Sequence, residues 1–355
     1  MKAYLVLENG RVFEGESFGA DIGDTIGEVV FTTSMTGYLE TLTDPSYAGQ
    51  IVLQTFPLIG NYGISLEDAE SGKSYVKGYI VKTPCDEPSN FRSEGTVSDF
   101  LIKQGIPAIC GIDTREITRI LRERGVMNGA LTLNPDSVDM DAIKSYAVLD
   151  ALEQVRDYGR EVIDGEPGGK RIVLWDCGLK LAQIRNLAER GCSVIRMPDN
   201  ATCEEVLAEK PDGVLISNGP GDPRENTALI KEIAKLTESG VPIMGICLGH
   251  QLLALARGAS VEKLKYGHRG ANNPVRDLVT GRTYITSQNH GYAVSPENLP
   301  KGTTMRYVNI NDGTCEGLDY EDFPGFSAQF HPEACGGPLD TGFLFDRLLQ
   351  LTSNS

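Results

Sequence analysis

The sequence predicts an α/β protein: an N-terminal mixed α/β domain followed by a doubly wound, mostly parallel α/β domain. Three observations carry this reading. After residue 170, short apolar runs alternate with helix-type runs at the spacing of a parallel sheet with crossover helices. Two of those runs, at 213–216 and 242–246, feed straight into glycine-rich turns, where open α/β sheets place their ligands. Before residue 153 the pattern is strand and loop, with two helix candidates.

Taken in order, the strand candidates of the first part are 3–7, 28–32, 50–54 and 79–81. The helix candidates are 97–104 and 113–124. In the second of these Asp113 or Thr114 can cap, Glu116 lies in the first turn and Gly125 stops the helix. Ile117, Ile120 and Leu121 recur at i, i+3 and i+4 and give it one buried face. The segment 153–169 is polar and rich in glycine, with one proline, and reads as a linker. The predicted domains are therefore 1–152 and 170–355. In the second, strands are expected at 171–175, 193–197, 213–216, 242–246, 282–286 and 326–330. Helices are expected at 182–190, 204–209, 226–238 and 251–256.

The chain has 355 residues, enough for two domains with a sizeable core. Its formal charge of −16 argues against nucleic acid and anionic membrane as partners, because both would repel it. No apolar stretch approaches the about 18 residues of a membrane span, and the N-terminus lacks the apolar core of a signal peptide. The eight cysteines are scattered, with no Cys-x-x-Cys pair. No metal site is expected, and free thiols in a reducing cytoplasm are the simplest reading.

The run Ile243-Met-Gly-Ile-Cys-Leu-Gly-His-Gln-Leu-Leu-Ala-Leu-Ala256 puts Cys247 at the joint between a strand and a helix, with glycines two positions to either side. A nucleophile elbow needs this pattern: a sharp turn exposes the side chain, and glycines remove Cβ atoms that would clash. The positive end of the following helix favours thiolate. Alone, the motif also describes a buried structural cysteine. Near the C-terminus, Phe326-Ser-Ala-Gln-Phe-His-Pro-Glu333 ends in His331 and Glu333. Residues two apart on an extended segment face the same way, so the carboxylate can orient the imidazole. A Cys–His pair with a third, orienting group is the general activated-nucleophile design. An isolated His-x-Glu also describes a surface pair. The four histidines all lie after residue 249; His268 and His290 are read as structural.

The segments Gly245-Ile-Cys-Leu-Gly-His-Gln251 and Gln329-Phe-His-Pro-Glu333 resemble the triad of the class I glutamine amidotransferases. Val214-Leu-Ile-Ser-Asn-Gly-Pro-Gly-Asp-Pro223 resembles the turn that supplies part of their oxyanion hole. The first domain narrows the resemblance. Phe31-Thr-Thr-Ser-Met-Thr-Gly-Tyr-Leu-Glu-Thr-Leu-Thr-Asp-Pro-Ser-Tyr47, Phe56-Pro-Leu-Ile-Gly-Asn-Tyr-Gly63, Ser89-Asn-Phe-Arg92 and Gly111-Ile-Asp-Thr-Arg-Glu-Ile-Thr-Arg119 resemble, in order, the small, glutamine-hydrolysing chains of carbamoyl-phosphate synthetases. Gly267-His-Arg-Gly270 and Ser287-Gln-Asn-His-Gly-Tyr-Ala-Val294 extend the likeness over essentially the whole chain. Tyr292 stands where many relatives have Phe, and Cys335 where Ser is common.

The resemblance implies Cys247 as nucleophile, His331 as base and Glu333 as its orienter. It implies oxyanion donors at the Leu248 and Gly219 N–H groups, and L-glutamine contacts at Ser46, Gly219, Gly221, Leu248, Gln251, Asn289, Gly291 and Tyr292. It implies a cytoplasmic subunit, part of a heterodimer, or a higher oligomer of heterodimers, with a separate large chain. That partner would carry the ATP and divalent-metal sites, and no cofactor is expected in this chain. An amidotransferase feeding another synthase, a non-catalytic scaffold subunit and a cysteine peptidase are the competing readings. The N-terminal motifs argue against the first and the intact triad against the second. Leu248-Gly-His-Gln251 and the glutamine-type turn fit the third poorly.

Overall fold

The computed structural model describes residues 1–156, 159–297 and 299–353. The chain divides into two compact units, Met1–Ala151 and Leu152–Ser355.

The first unit contains β1 (Lys2–Leu7), β2 (Val12–Gly19), β3 (Thr25–Thr32), β4 (Gln50–Gln54), β5 (Leu58–Ile59), β6 (Gly78–Ile80), β7 (Thr83–Pro84), β8 (Pro107–Cys110) and β9 (Met127–Thr132). Seven of these close a barrel in the order β1-β2-β8-β6-β4-β3-β9, with β5 and β7 paired separately. Closure removes the exposed sheet edge that an open arrangement would leave. Side chains alternate across the barrel wall. Val30, Val52, Tyr79 and Ala108 pack outward against Tyr38, Leu39 and Leu42 of the helix Tyr38–Thr43 and against Val97, Phe100 and Leu101 of Val97–Gln104. Their neighbours Val29, Ile51, Ile80 and Ile109 point the other way and are also fully buried. The expected helix at 97–104 is present, with Thr96 and Asp99 exchanging capping hydrogen bonds and Gly105 closing it at φ 70°. The expected 113–124 helix runs Thr114–Arg124, and Asp113 is its cap. β2, β8 and β9 are strands that the apolar pattern alone does not single out.

The second unit is built on one sheet, from β10 (Glu161–Ile163), β11 (Arg171–Asp176), β12 (Ser193–Pro198), β13 (Gly213–Ile216), β14 (Ile243–Ile246), β15 (Val261–Asp277), β16 (Thr283–Val294), β17 (Thr303–Asn309), β18 (Cys315–Tyr320) and β19 (Gly325–Ala328). Its order is β10-β12-β11-β13-β14-β19-β18-β17-β15-β16. The five strands from β12 to β19 are parallel, as the doubly wound reading expects. The sheet's two faces sort residues by parity. Val173, Trp175, Val214 and Ile216 share a core with Leu252 and Leu253 of the helix Leu248–Ala256. Ile172, Leu174, Leu215 and Met244 share another with Leu187 of Leu181–Ala188 and Leu344 and Leu348 of Phe343–Ser353.

Two features differ from the expectation. β15, β16, β17 and β18 extend the parallel sheet as an antiparallel layer, and the expected strand at 282–286 is only the start of β16. The expected linker 153–169 is not simply a connection. Glu161–Ile163 pairs antiparallel with β12 as an edge strand. A Cβ at Gly165 would lie 2.3 Å from the Cys192 carbonyl carbon, and one at Gly169 would lie 2.0 Å from the Gly191 oxygen. The glycines that read as flexibility thus permit close backbone approach. Asp157 and Tyr158 of that segment, and Asn354 and Ser355 of the expected second domain, lie outside the described residues.

Candidate active site

Cys247 follows β14 directly and precedes the nine-residue helix Leu248–Ala256. Its φ of 53° and ψ of −102° lie in a region that non-glycine residues avoid. Such a backbone costs about 1–3 kcal/mol and persists where its surroundings fix it. Here the fixing contacts are visible. The Cys247 N–H donates to Ala328 O at 2.9 Å, and the Gly249 N–H to Ser217 O at 3.0 Å. A Cβ at Gly249 would lie 2.2 Å from Ile216 O, and one at Gly245 would lie 2.6 Å from Gly249 O. The flanking glycines are therefore a steric requirement of the turn. The thiol donates to the Asn289 carbonyl oxygen at 3.6 Å.

β19 pairs in parallel with β14, with Ala328 opposite Ile246. The chain leaves β19 at Ala328, so His331 and Glu333 sit in a turn, not on the extended segment expected there. The turn still joins them: His331 Nδ1 lies 2.7 Å from Glu333 Oε1. Since the ionised carboxylate only accepts, Nδ1 carries the proton and Nε2 holds the lone pair of a base. That Nε2 is buried with no hydrogen-bond partner among the described residues. The His331 N–H donates to Ser287 O at 2.9 Å. Burial works to raise the Glu333 carboxyl, but His331 and Lys180 outweigh it and bring it down to about 2. Gln183 was not read from the sequence as part of this site. Its Nε2 donates to Glu333 Oε1 at 3.2 Å and to Asn218 Oδ1 at 2.8 Å, tying the carboxylate to the end of β13. The only signal for it was a polar side chain on the buried face of an expected helix.

Gly219 and Gly221 occupy the turn after β13, and Gly221 has φ 88°. A Cβ at Gly219 would lie 2.0 Å from Cys177 O and 2.8 Å from Leu248 Cδ2, so this turn and the start of the helix after Cys247 are in contact. The Leu248 N–H belongs to the first turn of that helix, whose amides lack intrahelical partners. Asn289, Gly291 and Tyr292 lie together on β16. Gln251 Nε2 donates to Tyr292 O at 2.9 Å and to Gln329 Oε1 at 2.8 Å, which ties the helix after Cys247 to that strand. The Tyr292 ring is flanked by the Arg224 guanidinium at 5.6 Å and the Lys263 ammonium at 5.9 Å. The second unit therefore brings together Cys247, His331, Glu333 and every expected glutamine contact except Ser46. Ser46 lies in the first unit, in the one-turn helix Pro45–Tyr47, where Asp44 Oδ1 accepts from its N–H at 2.9 Å.

The remaining histidines are all engaged. His250 Nδ1 lies 2.8 Å from Ser327 Oγ, and burial pulls its pKa down to about 3, which keeps it neutral. His268, His290 and Glu316 form a buried group whose ligand-type atoms lie within 4.8 Å of one another, the one such group among the described residues. Burial works to lower the His268 pKa, but Asp312 and Glu316 carry it up to about 9. Among the described residues no helix is long and apolar enough to cross a membrane.

Known proteins match this architecture half by half. Residues 5–131 match the family described as carbamoyl-phosphate synthase small chain, CPSase domain. Residues 173–351 match glutamine amidotransferase class-I. The carbamoyl phosphate synthase small chain of Bacillus caldolyticus is 51% identical over 358 residues, covering 99% of this chain and 96% of that protein. The one from Clostridium perfringens is 48% identical, covering 99% of each. The pyrimidine-specific small chain of Bacillus subtilis is also 48% identical, covering 99% of this chain and 96% of its own. Both domain matches fall in order on the two compact units, and near-half identity runs the full length, so the chain belongs to the carbamoyl phosphate synthase small chain family.

Proposed function

We propose that this chain hydrolyses L-glutamine and supplies ammonia to a carbamoyl-phosphate synthetase large chain. The observation that carries the reading is the elbow cysteine beside a His331–Glu333 pair at adjacent strand ends, on a chain whose first unit matches the small-chain domain. Glutamine binds with its side-chain amide at Cys247. His331 Nε2 takes the thiol proton as sulfur attacks the amide carbon. The Leu248 and Gly219 N–H groups receive the oxyanion; losing one such donor typically costs about 10²–10³ in rate. His331 then returns the proton to the departing ammonia, leaving a γ-glutamyl thioester. Water, deprotonated by the same imidazole, attacks the thioester carbon, and glutamate leaves as the thiol re-forms. Glu333 holds the tautomer that makes Nε2 the base. Ser46, Gly221, Gln251, Asn289, Gly291 and Tyr292 are the further glutamine contacts in this reading.

The large chain is the partner, as a heterodimer or an oligomer of heterodimers in the cytoplasm. It carries the ATP and divalent-metal chemistry that turns bicarbonate and ammonia into carbamoyl phosphate for arginine and pyrimidine synthesis; this chain needs no cofactor. The test is glutamate release by wild type and Cys247→Ser, alone and with the large chain, ATP and bicarbonate. Release that needs Cys247 and rises with large-chain turnover supports the whole reading. Activity unchanged in Cys247→Ser overturns the mechanism. Hydrolysis that needs Cys247 but ignores the large chain keeps the chemistry and reopens the question of which synthase this chain feeds.

A further inference from the structure

The antiparallel layer holds a buried carboxylate that the mechanism above does not use. Glu316, on β18, is fully buried. Its Oε1 lies 3.2 Å from His268 Nδ1 and 3.4 Å from Asn309 Nδ2, and its Oε2 accepts from Gln288 Nε2 at 3.0 Å. His268 Nε2 lies 2.7 Å from Asp312 Oδ2. Gln288 Oε1 lies 3.3 Å from His290 Nε2, and His290 Nδ1 lies 2.7 Å from Tyr292 O. An unbroken polar chain thus runs from Asp312 at the surface, through Glu316, to the strand that carries the expected glutamine contacts.

The strand pairing shows why such a chain is needed. β15 and β16 lose register between Lys263 and His268, and again between Gly270 and Asn273. Only His268↔His290, Arg269↔Asn289 and Gly270↔Gln288 are paired between these two irregularities. A short island of that kind is poorly fixed by its ladder alone, because bulges interrupt the pairing that sets register. Gln288, gripped by Glu316, lies at one end of it. Its two sequence neighbours touch the two reacting residues: Ser287 O accepts from the backbone N–H of His331, and Asn289 O accepts from the Cys247 thiol. A buried charge is costly unless fully satisfied, and fixing register is its best-attested use.

We propose that Glu316 is a positioning residue for glutamine hydrolysis: with His268 it pins residues 288–290 of β16 and so sets the Cys247–His331 geometry. This rests on the glutaminase reading. Small displacements of reacting groups are expensive, so Glu316→Gln should lower kcat by about 10- to 100-fold per folded chain. Normalising activity to the folded fraction, read by circular dichroism, removes any unfolded chains. A purely structural role would lower the melting temperature and leave that quantity unchanged. His268→Asn, which removes the partner and keeps the carboxylate, should act in the same direction, and Glu316→Asp should recover part of the loss. Equal kcat per folded chain in wild type, Glu316→Gln and His268→Asn would overturn the proposal while leaving the glutaminase reading intact. A wild type without Cys247-dependent hydrolysis would instead overturn that reading. Chelation of wild type is expected to change nothing. Activity lost to a chelator and restored by zinc would make the His268–His290–Glu316 group a metal site and overturn the positioning role.

Discussion

At the scale of single residues, Cys247 is held by what its neighbours lack. Gly249→Ala places a methyl 2.2 Å from the Ile216 carbonyl oxygen, with rigid β13 backbone on the other side. We expect destabilisation of about 1–3 kcal/mol by chemical denaturation, with loss of glutaminase activity as the elbow shifts. Glu333→Gln frees the His331 tautomer, and by analogy with triad carboxylates activity should fall by about 10⁴-fold in a glutamate-release assay. The same carboxylate has its folded-state pKa depressed to about 2, so its contribution to stability is complete above the ordinary carboxyl range and vanishes only as pH falls through about 2. His268 behaves oppositely. Raised to about 9 from an ordinary 6.5, it adds stability below about 6.5 that is lost as pH rises through about 9. The groups facing it are Asp312 and Glu316, with His290 beside them. The melting temperature of wild type should therefore fall more between pH 7 and 9.5 than that of His268→Asn; parallel curves would contradict this.

Among the elements, helix ends and strand ends carried readable signals. Thr96 and Asp99 close a capping box on Val97–Gln104, and Thr96→Ala should cost about 1 kcal/mol in urea unfolding of the first unit. The five parallel strands were legible because both faces are buried, which makes each a short continuous apolar run. Most of the antiparallel layer was not. β15 reads Val-Glu-Lys-Leu-Lys-Tyr-Gly-His-Arg, where charged residues interrupt the alternation and two register shifts break it again. Glu262, Lys263 and Lys265 face outward, and His268 turns to Glu316, so the stretch presents no continuous apolar face. The glycine-rich segment before β11 misled for a related reason, since glycine marks close backbone approach as well as a loose linker.

For the whole molecule, the two compact units correspond to the two family matches. The first closes its sheet into a barrel and leaves no open edge in that sheet, so a fragment of residues 1–151 should unfold cooperatively by itself. A broad, non-cooperative melt would show that the barrel depends on the rest of the chain.

The sequence alone determined the α/β class and the alternation of strand and helix, and it singled out Cys247, His331 and Glu333 as the candidate site. Each rests on local information: periodicity, a glycine pattern around one cysteine, a histidine and a carboxylate two residues apart. Only the tertiary structure decided that the first sheet closes, that the parallel sheet continues as an antiparallel layer, and which partners Gln183 and Glu316 meet. Those facts depend on strand order and on contacts such as Gln183 to Glu333 and His268 to Glu316, between residues far apart in the chain. No local pattern encodes which distant partners will satisfy a buried polar group; the folded backbone selects them.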